Sequence, residues 1–282
     1  MENEIKNFWQ THPCGATLVG DLTEESRADY LNFFQRYDDY RYTTEPHILS
    51  NLERIDFNGK RVLEIGLGQG ADSEQIVRQG GIFSGVDLTD EAVKRTKMRF
   101  SLKGVSFDRI EQASALDLPF ADNSFDIVYS HGVLHHIPEV KKAEREIFRV
   151  LKPDGYLIAM LYAKRSLNYL LSTLVLRRLG LLGLYSFGIK AGGIYGDHLD
   201  NARKAGIWNY LSMKNFINVS TDGPFNPYSK VYGLNEVRED FPDFEIVKCE
   251  RHFMHAPPLK LKWLLLAGVL GWHLWVWMKP RK

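Results

Sequence analysis

Cysteine is scarce in this chain. Two among 282 residues, Cys14 and Cys249, are too few for a disulfide framework and sit in no zinc-ligand spacing. An excess of either charge is also missing. The 36 Lys and Arg nearly cancel the 35 Asp and Glu, so no basic field exists to hold a nucleic-acid backbone. The opening residues, Met1 to Asn7, are acidic and lack the apolar stretch of a signal peptide, and the cytoplasm is the expected compartment. There is no internal repeat and no low-complexity tract. What remains is ordinary globular composition, 44% hydrophobic and 25% charged, in a chain long enough to bury a core without a covalent staple.

Periodicity divides the chain into five parts. Residues 1–57 predict a helical cap, with Tyr30, Phe33, Phe34 and Tyr37 at i, i+3, i+4, i+7 spacing. Residues 58–163 alternate short apolar runs with charged helical stretches, from Arg61–Ile65 to Tyr156–Met160. Thr89 is positioned to cap one of these helices, and Pro153-Asp154-Gly155 to turn the chain into the strand Tyr156–Met160. This alternation predicts β-α-β units in a doubly wound, mostly parallel α/β sheet. Residues 164–230 read as an inserted cap over the substrate, with a leucine-rich stretch from Leu167 to Tyr185 broken at Arg177-Arg178. Residues 231–255 return to the sheet, with Phe244–Val247 as its expected last strand. Residues 256–282 form an apolar tail rich in tryptophan.

The glycine turn Gly66-Leu67-Gly68-Gln69-Gly70 follows the first strand and precedes the first helix of the alternating region. Glycines there permit positive φ and close approach of a ligand, and the helix start offers free N–H groups. Asp87 follows 21 positions after Gly66, where a carboxylate can accept ribose hydroxyls. The spacing alone fits two cofactors. Gly66, Gly68 and Ala71 satisfy the dinucleotide fingerprint, whereas Gly66, Gly68 and Gly70 satisfy G-x-G-x-G. Glu64 separates the two, because a carboxylate beside the turn suits a cationic ligand better than a pyrophosphate.

Five motifs then occur in order: Val62–Gly70, Gly85–Leu88, Leu118–Phe120 with Asn123–Asp126, Val133–His136, and Arg149–Gly155. Over residues 60 to about 162 the chain thereby resembles the class I S-adenosylmethionine-dependent methyltransferases, in the group related to the ubiquinone and menaquinone methyltransferases (methyltransferase type 11). The resemblance implies a Rossmann-like fold with S-adenosyl-L-methionine as cofactor. It implies that Glu64 and Gly66 to Gly70 hold the methionyl end, that Asp87 holds the ribose, and that Leu88 packs on the adenine. One position departs from the family pattern. Ser114 stands, before the matching Ala115, where an acid commonly receives the adenine amino group, and Asp117 is the alternative acceptor. His131 falls where the family places the residues nearest the transferable methyl, and Ser130, Ala115 and His131 are expected among the cofactor-binding residues.

Among the histidines, His131 is the candidate base, needed only for a hydroxyl or acidic-carbon acceptor, and His135 is the second catalytic candidate. The recurrence of the His135-His136 pair at a helix entrance in the family implies that one of the two is structural. No acidic partner at zinc spacing accompanies the three, so no metal is expected. Tyr37, Arg41, Tyr42 and Phe8-Trp9 are alternatives for a lid over the cofactor. Cys14 has no identifiable base beside it and is not read as a nucleophile.

The stretch Ser130–Val133 lacks the Asn/Asp-Pro-Pro-aromatic motif of amino-group methyltransferases and the metal-binding acid of magnesium-dependent catechol enzymes. With the balanced charge, this favours a small, lipophilic or aromatic acceptor over nucleic acid. Trp263 to Met278 is an uncharged run between basic flanks, which reads as an apolar helix about 24 Å long. As a helix it would be a core element, a dimer contact or a peripheral membrane contact of residues 259–282 at the inner face. Two other classes stay open at this point: a nicotinamide-dependent oxidoreductase and a non-catalytic, cofactor-binding scaffold.

Overall fold

A computed structural model describes residues 1–13, 15, 26–259 and 266–282; Cys14, Lys260, Lys262 and Trp263 lie outside them. Seven strands make one sheet: β1 (Arg61–Ile65), β2 (Ile82–Asp87), β3 (Arg109–Gln112), β4 (Phe125–His131), β5 (Leu151–Tyr162), β6 (Phe244–His252) and β7 (His273–Pro280). Their order is β3-β2-β1-β4-β5-β7-β6. β7 runs antiparallel to both neighbours, and all other pairs are parallel. The chain winds outward from β1 through β2 to β3, then restarts on the other side of β1 with β4. The reversal between β1 and β4 opens a crevice at their carboxyl ends, where α/β sheets hold ligands.

Helices cover both faces. α1 (Glu2–Thr11), α2 (Arg27–Thr44) and α3 (His47–Leu52) precede the sheet; α4 (Ala71–Arg78), α5 (Asp90–Lys103) and α6 (Val140–Val150) cross between strands. Tyr30, Phe33, Phe34 and Tyr37 all lie on the buried side of α2. α5 starts at Thr89, whose side chain accepts from the Ala92 amide, and stops at Gly104 in the left-handed region.

The tail differs from its reading as a helix. Residues 273–280 are strand β7, inserted between β5 and β6. Leu274, Val276 and Met278 join Leu157, Ala159 and Leu161 on one face of the sheet. Trp275 and Trp277 join Tyr129, Ile158 and Met160 on the other. A strand buried on both faces is apolar at every position, so periodicity cannot tell it from a buried helix. The basic flank is held by the protein as well: Lys279 lies over the Tyr156 ring and Lys282 over Phe148. No helix among the described residues is long and apolar enough to cross a membrane. Phe244–Val247 accordingly begins an edge strand, not the last strand of the chain.

Two smaller differences concern local signals. Pro153-Asp154-Gly155 is not a turn between elements; it lies inside β5, where the register with β4 shifts between Phe125 and Ile127. Arg177-Arg178 does not break the leucine-rich stretch either. A π-helical segment (Asn168–Leu176) runs directly into α7 (Arg177–Ser186), because arginine is a good helix former and Arg178 reaches back to the Leu174 carbonyl at 3.2 Å. With α8 (Gly193–Ala205), α9 (Ile207–Tyr210) and α10 (Met213–Thr221), α7 packs around its own small core of Leu181, Leu199, Tyr210 and Phe216.

Candidate active site

A cavity of about 360 Å³ occupies the crevice, lined by the β1 turn, the ends of β2 and β4, the loop after β3, and α1. Its floor is the glycine turn. Gly66 has φ +88°, and a Cβ there would come within 2.1 Å of Val133 Cγ2, so no side chain fits. Gly68 has φ +53° with nothing within 4 Å of its Cβ position, which leaves its backbone open to a ligand. Gly70 does not line the cavity. It is the left-handed residue that starts α4 and packs on Thr96.

One end of the cavity is acidic, and its two carboxylates differ. Asp72 is saturated: Arg41 holds it through Nε at 3.0 Å and Nη2 at 2.6 Å, Tyr129 donates at 3.0 Å and Tyr42 at 3.3 Å. Glu64, at the end of β1, receives only the Ser73 hydroxyl and has no ion-pair partner among the described residues. Burial, and then the neighbouring Asp72, push its carboxyl well above the usual range. A buried acid with no cation is costly, and a ligand ammonium placed there would relieve that cost. Asp72 and Tyr129 were not read as site residues. An acid two positions after Gly70 was the available signal for Asp72, whereas the Tyr129 contact depends on β4 lying beside β1.

On the neighbouring strand β2, Asp87 is anchored by three donors at 2.8 Å, the Leu67 amide on one oxygen and the Thr89 amide and hydroxyl on the other. Burial raises its pKa against those bonds. It still lines the cavity, with Leu88, Ser114 and Ala115 beyond it. The Ser114 hydroxyl donates to Glu2 of α1, so a carboxylate reaches this position from another part of the chain. Asp117 does not line the cavity. Met1, Glu2, Ile5 and Trp9 close the cavity on the α1 side.

The candidate histidines separate. His131 lines the cavity; His135 is fully buried outside it, its ring centroid 3.8 Å from that of Tyr162. His135 therefore has no access to a ligand in this cavity. Ser130 is also buried outside it and donates to the Ile65 carbonyl at 3.0 Å, tying β4 to β1. His136, by contrast, lines the cavity and contacts the Tyr228 carbonyl through Nδ1 at 2.8 Å.

The protonation of His131 follows from its neighbours. Arg41 Nη2 lies 3.3 Å from Nδ1, and a guanidinium can only donate. Nδ1 is therefore the acceptor, and Nε2, buried with no protein partner, carries the hydrogen. Burial, then Arg41, hold the ring neutral, well below the usual histidine pKa. In this state the ring offers a donor and has no free lone pair for a proton. Glu45, His131 and His273 bring potential ligand atoms within 4.8 Å of one another, but the Nε2–H and the adjacent guanidinium oppose a cation there.

Comparison with known proteins adds to this geometry. Residues 63–159 match the family described as a methyltransferase domain. The chain is 31% identical over 143 residues to a phthiotriol/phenolphthiotriol dimycocerosates methyltransferase of Mycobacterium ulcerans, covering 50% of this chain and 46% of that protein. It is 33% identical over 111 residues to a fatty-acid O-methyltransferase of Mycolicibacterium smegmatis, 39% of each chain. The match thus spans less than half of either relative. An S-adenosylmethionine-dependent methyltransferase from Mesorhizobium loti has the same fold, with TM-score 0.53 and 14% identity over 83% of this chain and 96% of that one.

Proposed function

From the premise that residues 63–159 are a domain of the S-adenosylmethionine-dependent methyltransferases, we propose that the chain methylates a small lipophilic or aromatic acceptor without a metal ion. The observation that carries this reading is Glu64, a buried carboxylate that forms no ion pair among the described residues, beside the open backbone of Gly68. That arrangement suits the ammonium and sulfonium of the cofactor and opposes the pyrophosphate of a dinucleotide.

When bound, the cofactor supplies a methyl group already activated by a positive sulfur. The chain supplies placement. Glu64 pairs with the ammonium, Gly66 and Gly68 admit the cofactor to the backbone, and Asp87 receives the ribose. Leu88 and Ala115 flank the adenine, with Ser114 and Glu2 as its polar partners. The Arg41–Asp72–Tyr129 group fixes the floor, and α1 keeps water out. His131 is a positioning residue whose Nε2–H directs an acceptor lone pair towards the methyl. A lipophilic acceptor is supported by the names of the two mycobacterial relatives and by the apolar surface of the insertion.

Calorimetric titration with S-adenosylhomocysteine and with NAD tests the cofactor. Binding of the first alone is expected; binding of NAD alone would overturn the reading. Transfer of labelled methyl into the organic-extractable fraction of a cell extract tests the acceptor class. Label confined to protein or nucleic acid would exclude a lipophilic acceptor, and chelation is expected to leave turnover unchanged.

A further inference from the structure

The inserted helices, with Pro258, line a second cavity, of about 310 Å³, that shares no lining residue with the first. This volume lies at the lower end of the range for small-ligand sites. Leu176, Leu181, Leu184 and Phe216 supply apolar walls, and Arg177 is the one lining residue with a fixed charge. Arg177 is half-buried at the start of α7. Its Nη1 donates to the Ser220 carbonyl and its Nε to the Pro257 carbonyl at 3.4 Å.

No acid pairs with this guanidinium among the described residues, and Nη2 has no protein partner there. His198 adds no second cation, because burial and then Arg177 hold its pKa down to about 4. A cation among leucines without an anion is unfavourable unless a ligand brings the opposite charge. The surroundings describe the rest of that ligand. Nine of the eighteen exposed large apolar side chains among the described residues belong to residues 164–230, including Phe187 at 83% and Trp208 at 74% exposure. An insertion this apolar on its outside, around a cavity with one unpaired cation, matches an amphipathic partner.

We propose that this cavity binds an apolar chain bearing a single anionic head, the chain among the leucines and the head on Arg177. The proposal is independent of the cofactor reading, and either can fail alone.

The test is calorimetric titration of the full chain with decanoate, decyl phosphate and decanol, each below its micelle concentration, with acetate as the short anion. Saturable one-to-one binding of decanoate or decyl phosphate is expected, with decanol weaker by about tenfold or more, the worth of a charge-assisted hydrogen bond, and acetate not bound. The preferred head separates a free acid from a phospholipid-like ligand. Arg177→Met is expected to remove the advantage of the anions over decanol. Because Arg177 also ties two carbonyls, Gly180→Phe serves as the second variant. A Cβ at Gly180 meets nothing within 4 Å, and replacing a helical glycine does not cost helix stability. It is expected to weaken all three decyl ligands while leaving S-adenosylhomocysteine binding unchanged. No saturable binding of either anion, or Arg177→Met binding them like the parent, would overturn the proposal.

Discussion

The two cavities hold opposite unpaired charges, and they hold them by different means. In the crevice the acid Glu64 is placed by the end of a central strand, beside a turn whose first glycine, Gly66, has no room for a side chain. In the insertion the cation Arg177 is placed by helices that pack on a small core of their own. The first site is built on a strand end and a glycine turn, which leave main chain open to close approach by a ligand. The second is built from side chains on helices, and it offers mainly apolar area and one charge. In both, the unpaired charge indicates the sign of what is missing, which the saturated Asp72 does not.

The largest expected effect falls on the sheet that supports the crevice. Leu274→Ala removes a buried side chain from β7, on the sheet face away from Tyr129, and should cost about 2–5 kcal/mol of stability, measured by denaturant unfolding. The affinity of the folded protein for S-adenosylhomocysteine should change less than about twofold, since β7 does not line the crevice. A collapse of affinity in folded protein would mean that the crevice is less autonomous than the contrast with the insertion implies.

Next comes the unpaired acid itself. Glu64→Gln should weaken S-adenosylhomocysteine by about 30- to 100-fold, the worth of a charged hydrogen bond within a buried pair, and leave decanoate binding unchanged. Equal losses at both cavities would report general unfolding and break the comparison.

Acidification sharpens the same point. The Glu64 carboxyl is raised by burial and Asp72, so it takes up a proton at a pH above the ordinary carboxylate range. Affinity for the cationic cofactor is therefore full above that raised pKa and falls as pH drops through it, by at most about tenfold per pH unit. In Glu64→Gln this dependence should vanish.

The smallest effect concerns His131. Loss of one neutral positioning hydrogen bond in His131→Ala should lower kcat by about tenfold, while His131→Asn, which keeps an N–H, should recover most of it. A basic ring would instead be lost equally in both variants, with disappearance of the acidic limb of the pH–rate profile.

Much of this architecture was legible in the chain. β1, the helix from Ala71 to Arg78, the Thr89 cap and the glycine turn are local features, each set by a few neighbouring residues. The five motifs pointed to the cofactor and to Glu64, Gly66, Gly68, Gly70 and Asp87, all of which line one cavity except Gly70. The misses share a physical cause. Ser130 and His135 are neighbours of His131 in sequence, but alternation along β4 and the following 3₁₀ turn bury both in the core. The partners of Asp72 arrive from positions 31 and 57 residues away in sequence, and Glu2 meets Ser114 across 112 residues.

Local chemistry thus determined where the strands of the first half begin, where the backbone must be glycine, and which acid stands beside the turn, because each depends on φ, on caps and on spacing within a few residues. Tertiary structure alone decided that residues 273–280 of the tail are an interior strand, that Arg41 fixes the tautomer of His131, and that Glu64 and Arg177 form no ion pair among the described residues. An apolar run does not state its own conformation, and a charge does not state its partners, until distant parts of the chain have packed around them.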